Sequence, residues 1–100
     1  MKMIINGKKY DTTTAEELAE WDNGLYRDFH YCSETLYLKK TGEFFLHGEG
    51  GAASRYASSV GNGFTSGEQI IPLEKAAAMK WAETHISADE YEAIFGEVAE

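Results

Sequence analysis

Glu34-Thr35-Leu36-Tyr37-Leu38-Lys39-Lys40-Thr41-Gly42-Glu43-Phe44-Phe45-Leu46-His47-Gly48 is the stretch that decides the fold. Leu36 and Leu38 alternate with Tyr37 and Lys39, and Phe44 and Leu46 alternate with Phe45 and His47. Side chains of a strand point to opposite faces in turn, so a period of two reads as a half-buried β-strand. A three-residue loop, Lys40-Thr41-Gly42, joins the two runs into a hairpin with Gly at the left-handed position. That register puts Leu36, Leu38, Phe44 and Leu46 on one face and sets Lys39 opposite Glu43. A two-residue loop would mix the faces.

Upstream, Met3–Asn6 and Lys9–Asp11 read as two short strands around Gly7-Lys8. Thr14 and Glu17 have capping-box spacing, in which each side chain satisfies a free N–H at a helix start. A short helix over Ala15–Trp21 follows, burying Ala15, Leu18 and Trp21 and ending at Asn23-Gly24.

Downstream, Gly48–Gly67 holds six glycines with little periodicity. It reads as a long loop, of the kind that is functional or mobile, with a turn of helix over Ser54–Ser59. Gln69–Ile71 returns as a strand. Pro72 suits the first position of a helix over Leu73–His85, where its missing N–H costs nothing. Leu73, Ala77 and Trp81 then share a stripe. Ser87-Ala88-Asp89-Glu90 is a second capping box. It opens a final helix with Tyr91, Ile94, Phe95 and Val98 at i, i+3, i+4 and i+7, whose end Gly96 weakens. The expectation is one α+β domain over residues 1–100. It comprises a small, mainly antiparallel β-sheet with a short N-terminal helix and two C-terminal helices packed on one face.

The charge is the second strong signal. Seventeen Asp and Glu stand against nine Lys and Arg, a formal charge of −8. Met1–Lys40 carries six basic and seven acidic residues, whereas Thr41–Glu100 carries three and ten. An apolar share of 43% with 13% aromatics supports a packed core rather than disorder. A surface this acidic is repelled by nucleic acid and drawn to basic protein surfaces. The lone Cys32 permits no internal disulfide. Met1–Tyr10 has no apolar run behind its lysines, and no stretch approaches the roughly 20 apolar residues of a membrane span. The expected location is the cytoplasm.

Four constellations bear residues that chemistry could use. Gly48-Glu49-Gly50-Gly51-Ala52-Ala53 fits a dinucleotide glycine run, but a hairpin precedes it and Glu49 would repel a pyrophosphate, so a plain turn fits better. His30 and Cys32, two apart, could form a zinc corner with His47, although a second ligand pair is missing. A buried thiol beside ordinary histidines is the simpler reading. Ser54, Ser58, Ser59 and Ser66 lie in the glycine-rich segment without a nucleophile elbow. Acid is concentrated in the last helices at Glu74, Glu83, Asp89, Glu90, Glu92, Glu97 and Glu100. The helix dipole accounts for Asp89 and Glu90, but not for acid late in the helix. No catalytic residue, metal or cofactor is expected. The candidate partner-binding residues are Glu83, Asp89, Glu90, Glu92 and Glu97, with Arg55 and Tyr56 as loop anchors.

Lys9-Tyr10-Asp11-Thr12, the Glu34–Leu46 stretch, Gly48-Glu49-Gly50-Gly51 and Ile70-Ile71-Pro72-Leu73 together resemble small proteins of Gram-positive mobile elements, namely plasmids, conjugative transposons and phages. The likeness runs from Lys9 to Gly96. Some small acidic proteins of such elements are anti-CRISPR proteins that inhibit a type II effector nuclease (Cas9). The resemblance implies a non-enzymatic inhibitor, and the charge fits. Such a nuclease holds nucleic acid in a basic channel that an acidic domain could occupy as a DNA mimic. The alternatives are a mobile-element accessory interaction domain, a homodimer included, and a small enzyme or metal protein.

Overall fold

The computed structural model describes Met1–Glu100. Eight strands precede two helices: β1 Lys2–Ile5, β2 Lys8–Asp11, β3 Glu16–Asp22, β4 Cys32–Leu38, β5 Phe44–Gly50, β6 Ser58–Val60, β7 Gly63–Thr65, β8 Gly67–Leu73, α1 Lys75–His85 and α2 Ala88–Phe95. The central sheet has the order β3-β4-β5-β8 with every neighbour antiparallel. β1-β2 and β6-β7 are separate hairpins. The molecule is a flat α+β slab of 49 × 33 × 20 Å.

The β4-β5 hairpin has the register its alternation predicts. Leu36 pairs with Leu46 and Leu38 with Phe44, while the Lys39 N–H donates to the Glu43 carbonyl at 2.8 Å. The first hairpin turns at Asn6-Gly7, one residue earlier than expected, and both residues have positive φ (51° and 77°). That is the primed turn that matches strand twist, and Asn-Gly is the pair that tolerates it best.

The sequence-expected N-terminal helix is absent: residues 16–22 form edge strand β3. Its pairing with β4 shifts between Glu17 and Ala19, a β-bulge. The extra residue brings Leu18 toward the core together with Ala19 and Trp21. The bulge thus produces the 18/21 spacing that imitates a helical stripe. Thr14 caps nothing; its hydroxyl reaches the Asp11 carbonyl.

Pro72 and Leu73 are likewise strand residues, paired with Phe45 and Phe44. β8 is the sheet edge, where a missing N–H is tolerated. α1 therefore starts only at Lys75, and its buried stripe is Ala78, Trp81 and Ala82. The glycine-rich segment holds the end of β5, a turn, the β6-β7 hairpin and the start of β8 rather than a loop with helix. The Ser87–Glu90 capping box forms as expected, and α2 ends at Gly96 with φ 94°.

Two apolar clusters sandwich the sheet. On one face Ala19, Leu36 and Leu46 meet Ala78, Trp81 and Ala82 of α1, with Tyr91, Ile94 and Phe95 of α2 at the margin. On the other, Tyr10, Phe45 and Ile70 form a smaller cluster under the β1-β2 hairpin. Tyr10 meets Phe45 edge-on at 5.6 Å, and Tyr37 stacks on Phe45 at 5.1 Å. The hairpin covers only the half of this second face that holds Tyr37, Phe45 and Ile70. The half nearer Ser33, Glu49 and Glu68 is left open.

Candidate binding face

β4, β5 and β8 meet at their Cys32, Gly50 and Gly67 ends, and the long connections 23–31 and 51–66 both emerge there. The two connections are tied together: the Gly51 N–H donates to the Tyr31 carbonyl at 2.9 Å and the Ala53 N–H to the Phe29 carbonyl at 2.8 Å. Residues 51–57 fold back over the helix-covered face of the sheet. Gly48 lies against the Tyr56 ring and Gly67 against the Tyr56 carbonyl, so a Cβ at either position would collide with Tyr56. These glycines create a close approach of loop to sheet rather than a phosphate cradle.

Tyr56 is buried, and its hydroxyl donates to the carboxylate of Glu34, itself 2% exposed. Trp81 Nε1 donates to the same carboxylate at 3.0 Å and Arg55 Nη1 at 3.3 Å, while His85 Nε2 stands 3.6 Å away. His85 is held between Trp21 and Trp81, at 4.7 and 4.9 Å between ring centroids. A buried carboxylate is tolerable only when its lone pairs are filled in this way. Burial, then the hydrogen bond to Glu34, pushes the Tyr56 phenol far above its ordinary value. Burial, then the Glu34 charge, also raises the Cys32 thiol, which leaves it a poor nucleophile. The network bolts loop, sheet and α1 together. Of the two expected loop anchors, Arg55 reaches solvent and Tyr56 faces inward.

The other candidates separate in space. Cys32 lies on the helix-covered face and His47 on the opposite one, as the alternation along β4 and β5 requires. His30 precedes β4 and pairs with Asp28 at 2.8 Å. The three therefore form no zinc corner. The Ser54 hydroxyl donates to the Gly51 carbonyl and accepts the Tyr56 N–H, which commits it to the turn. On the helices Glu83, Asp89 and Glu90 are exposed and Glu92 is half-buried, while Glu97 is exposed in the segment after α2. Glu90 serves the capping box, and Glu92 accepts the Val98 N–H at 3.1 Å. Glu83 and Glu92 border a hollow of about 370 Å³ floored by Ala82, Ile86 and Tyr91.

A denser acidic surface lies on the sheet face opposite the helices, mostly on its open half. The register places Glu17, Glu20 and Asp22 of β3 on the same face as Ser33, Thr35 and Tyr37 of β4. His47 and Glu49 of β5 and Glu68 of β8 continue that face. Five carboxylates from three strands thus share one surface, separated by the hydroxyls of β4. The Tyr37 phenol reports their proximity: burial first, then Glu17 and Glu20, raise it. Tyr26 donates to Asp22 at 2.8 Å, and that bond is the main reason its own phenol is raised. Beside Glu49 and Glu68 opens a hollow of about 600 Å³, also lined by Arg27, Asp28 and Tyr31, in which Arg27 is the one cation. At the same end Leu25, Tyr26, Phe29, Val60 and Phe64 expose their apolar surfaces, Phe29 at 74%.

Sequence reasoning missed Glu17, Glu20, Asp22 and Glu68 as a group. Reading 15–21 as a helix detached the first two from the sheet. The signal that could have found them is the alternation Ala19/Glu20/Trp21/Asp22 and its counterpart His47/Gly48/Glu49/Gly50. Compared with protein-family models, curated proteins and solved structures, the chain matches none. No helix is long and apolar enough to cross a membrane.

Proposed function

We propose that this chain is a non-enzymatic binding protein whose open, acidic sheet face covers the basic, nucleic-acid-binding surface of a partner protein. The observation that carries the reading is the placement of Glu17, Glu20, Asp22, Glu49 and Glu68 on one sheet face, Glu17 beside the hairpin-covered half and the other four on the open half, with exposed aromatic loop tips at its end. Carboxylates arrayed on a rigid sheet steer toward a basic groove and make charge-assisted hydrogen bonds to its Arg and Lys side chains. Exposed Tyr26 and Phe29 supply the aromatic contacts that carry binding energy at interfaces. A type II CRISPR effector nuclease is the partner of first choice, because the mobile-element resemblance and a basic nucleic-acid channel point the same way. The contact surface moves from α2 to the sheet because five carboxylates share one sheet face, whereas on α2 Glu90 serves the capping box and Glu92 accepts the Val98 N–H.

The test is a target-DNA cleavage assay with several Cas9 orthologues, run at low and high salt. Inhibition that weakens with salt is expected. E17K/E20K/E49K should abolish it, and E83K/D89K/E97K on the helical layer should retain it. Undiminished cleavage at large molar excess sinks this target, and inhibition that survives the sheet-face reversal sinks this face.

A further inference from the structure

We infer that His47, Glu49 and Glu68 form a binding site for a divalent first-row transition ion, zinc(II) being the best match. The site stands on its own geometry, and it draws on Glu49 and Glu68 of the acidic face described above.

Three donors from two adjacent strands converge. His47 and Glu49 are two apart on β5 and so share a face, and Glu68 of β8 sits directly opposite Glu49. One ligand atom from each lies within 4.8 Å of both others. Zinc–nitrogen and zinc–oxygen bonds of about 2.0–2.2 Å place two ligands at most ~4.4 Å apart, so small side-chain rotations close the triad. His47 is 18% exposed in its side chain and Glu68 48%, which leaves the imidazole fixed and one side open for water ligands. The 600 Å³ hollow beside Glu49 and Glu68 supplies that space.

Two further features separate this cluster from a chance group of surface acids. Glu49 and Glu68 are a direct cross-strand pair of like charge, an arrangement that costs stability unless a cation lies between them. The ligands are also backed from behind. In His47-Gly48-Glu49 and Gly67-Glu68 each glycine turns its face to Tyr56, whose ring and carbonyl press on β5 and β8 together. The ligand-bearing strands are thus pinned by a buried side chain, which fixes their spacing.

The donor set selects the ion. An imidazole with two carboxylates suits zinc and its neighbours, whereas magnesium prefers an all-oxygen octahedral shell. His47 Nε2 lies 2.8 Å from Glu68 Oε2. The metal takes that place between them, bound through the Nε2 lone pair of the neutral ring with the ring proton on Nδ1.

The experiment is titration of the chelator-treated full-length chain with zinc chloride and, separately, magnesium chloride, by calorimetry. One zinc per chain is expected, with no magnesium uptake at the same concentrations. His47→Ala and Glu68→Gln should each weaken zinc binding at least tenfold, and Cys32→Ser should not. Histidine-ring NMR of the unmutated protein supplies a readout free of folding effects: zinc should move the His47 signals and leave those of His30 and His85. Absence of saturable zinc uptake, uptake unchanged by His47→Ala, or ring shifts confined to His30 or His85 would overturn the assignment.

Discussion

Two carboxylate sites stand back to back on the same strands. On the helix-covered face Glu34 is sealed from water, and Tyr56, Trp81 and Arg55 fill its acceptor positions. On the open face Glu49 and Glu68 oppose each other, with His47 2.8 Å from Glu68 and the Ser33 hydroxyl 3.5 Å from Glu49. A strand reverses its side chains at every residue, so a single step from Glu34 to Ser33, or from Gly48 to Glu49, exchanges one environment for the other. The buried acid is a structural bolt because its lone pairs are all used inside. The exposed acids give only part of their acceptor capacity to neighbours such as Tyr26 and His47 and turn the rest to solvent, which is what a surface that recognises a cation requires.

Breaking the bolt should have the largest effect. Glu34→Ala leaves the Trp81 N–H, the Tyr56 hydroxyl and the Arg55 charge without their acceptor, and should cost about 3–5 kcal/mol. Urea denaturation followed by Trp fluorescence measures it, and a loss below ~1 kcal/mol would show that the network does not hold the loop. Gly48→Ala drives a methyl into the Tyr56 ring and should cost about 2–3 kcal/mol. Combined with Tyr56→Ala the two costs should fall short of their sum, because the second change removes the collision; strict additivity would break this account.

Glu43 sharpens the contrast from the far end of the sheet. It too is a paired acid, but a half-buried one. Hydrogen bonds from Lys8, then Lys39, then Thr41 lower its pKa from 4.5 to about 2. A depressed folded-state pKa contributes stability that is present above pH 4.5 and lost as pH falls through 2. Acid unfolding of Glu43→Gln should therefore lack the part of the slope that lies between pH 4.5 and 2, and an unchanged slope would contradict the pairing. The smallest effect belongs to the open face. Glu49→Gln should change stability by less than ~0.5 kcal/mol, in the stabilising direction at low salt, since it relieves repulsion with Glu68. A loss above ~1 kcal/mol would make Glu49 structural and erase the distinction between the two faces.

What could be read from the residues was what their neighbours in sequence control. The Glu34–Gly48 alternation sets hairpin register through a period of two, and Ser87 with Glu90 closes a capping box three residues apart. β3 escaped because a bulge gave a strand the spacing of a helix, and Pro72 escaped because an edge strand spares the N–H that proline lacks. The acidic excess was plain from composition, but its address was not: Glu17, Glu20, Asp22, Glu49 and Glu68 come from three strands and meet only through register.

The sequence by itself determined the α+β class, the central hairpin, the two C-terminal helices and the sign of the surface, because each follows from local periodicity, capping chemistry or a count of charges. Only the tertiary structure decided that Glu34 is sealed by residues as far as 47 positions away, and that His47 meets Glu68 rather than Cys32. Those choices depend on which strands pair and which face is covered, and long-range burial, not local propensity, fixes both.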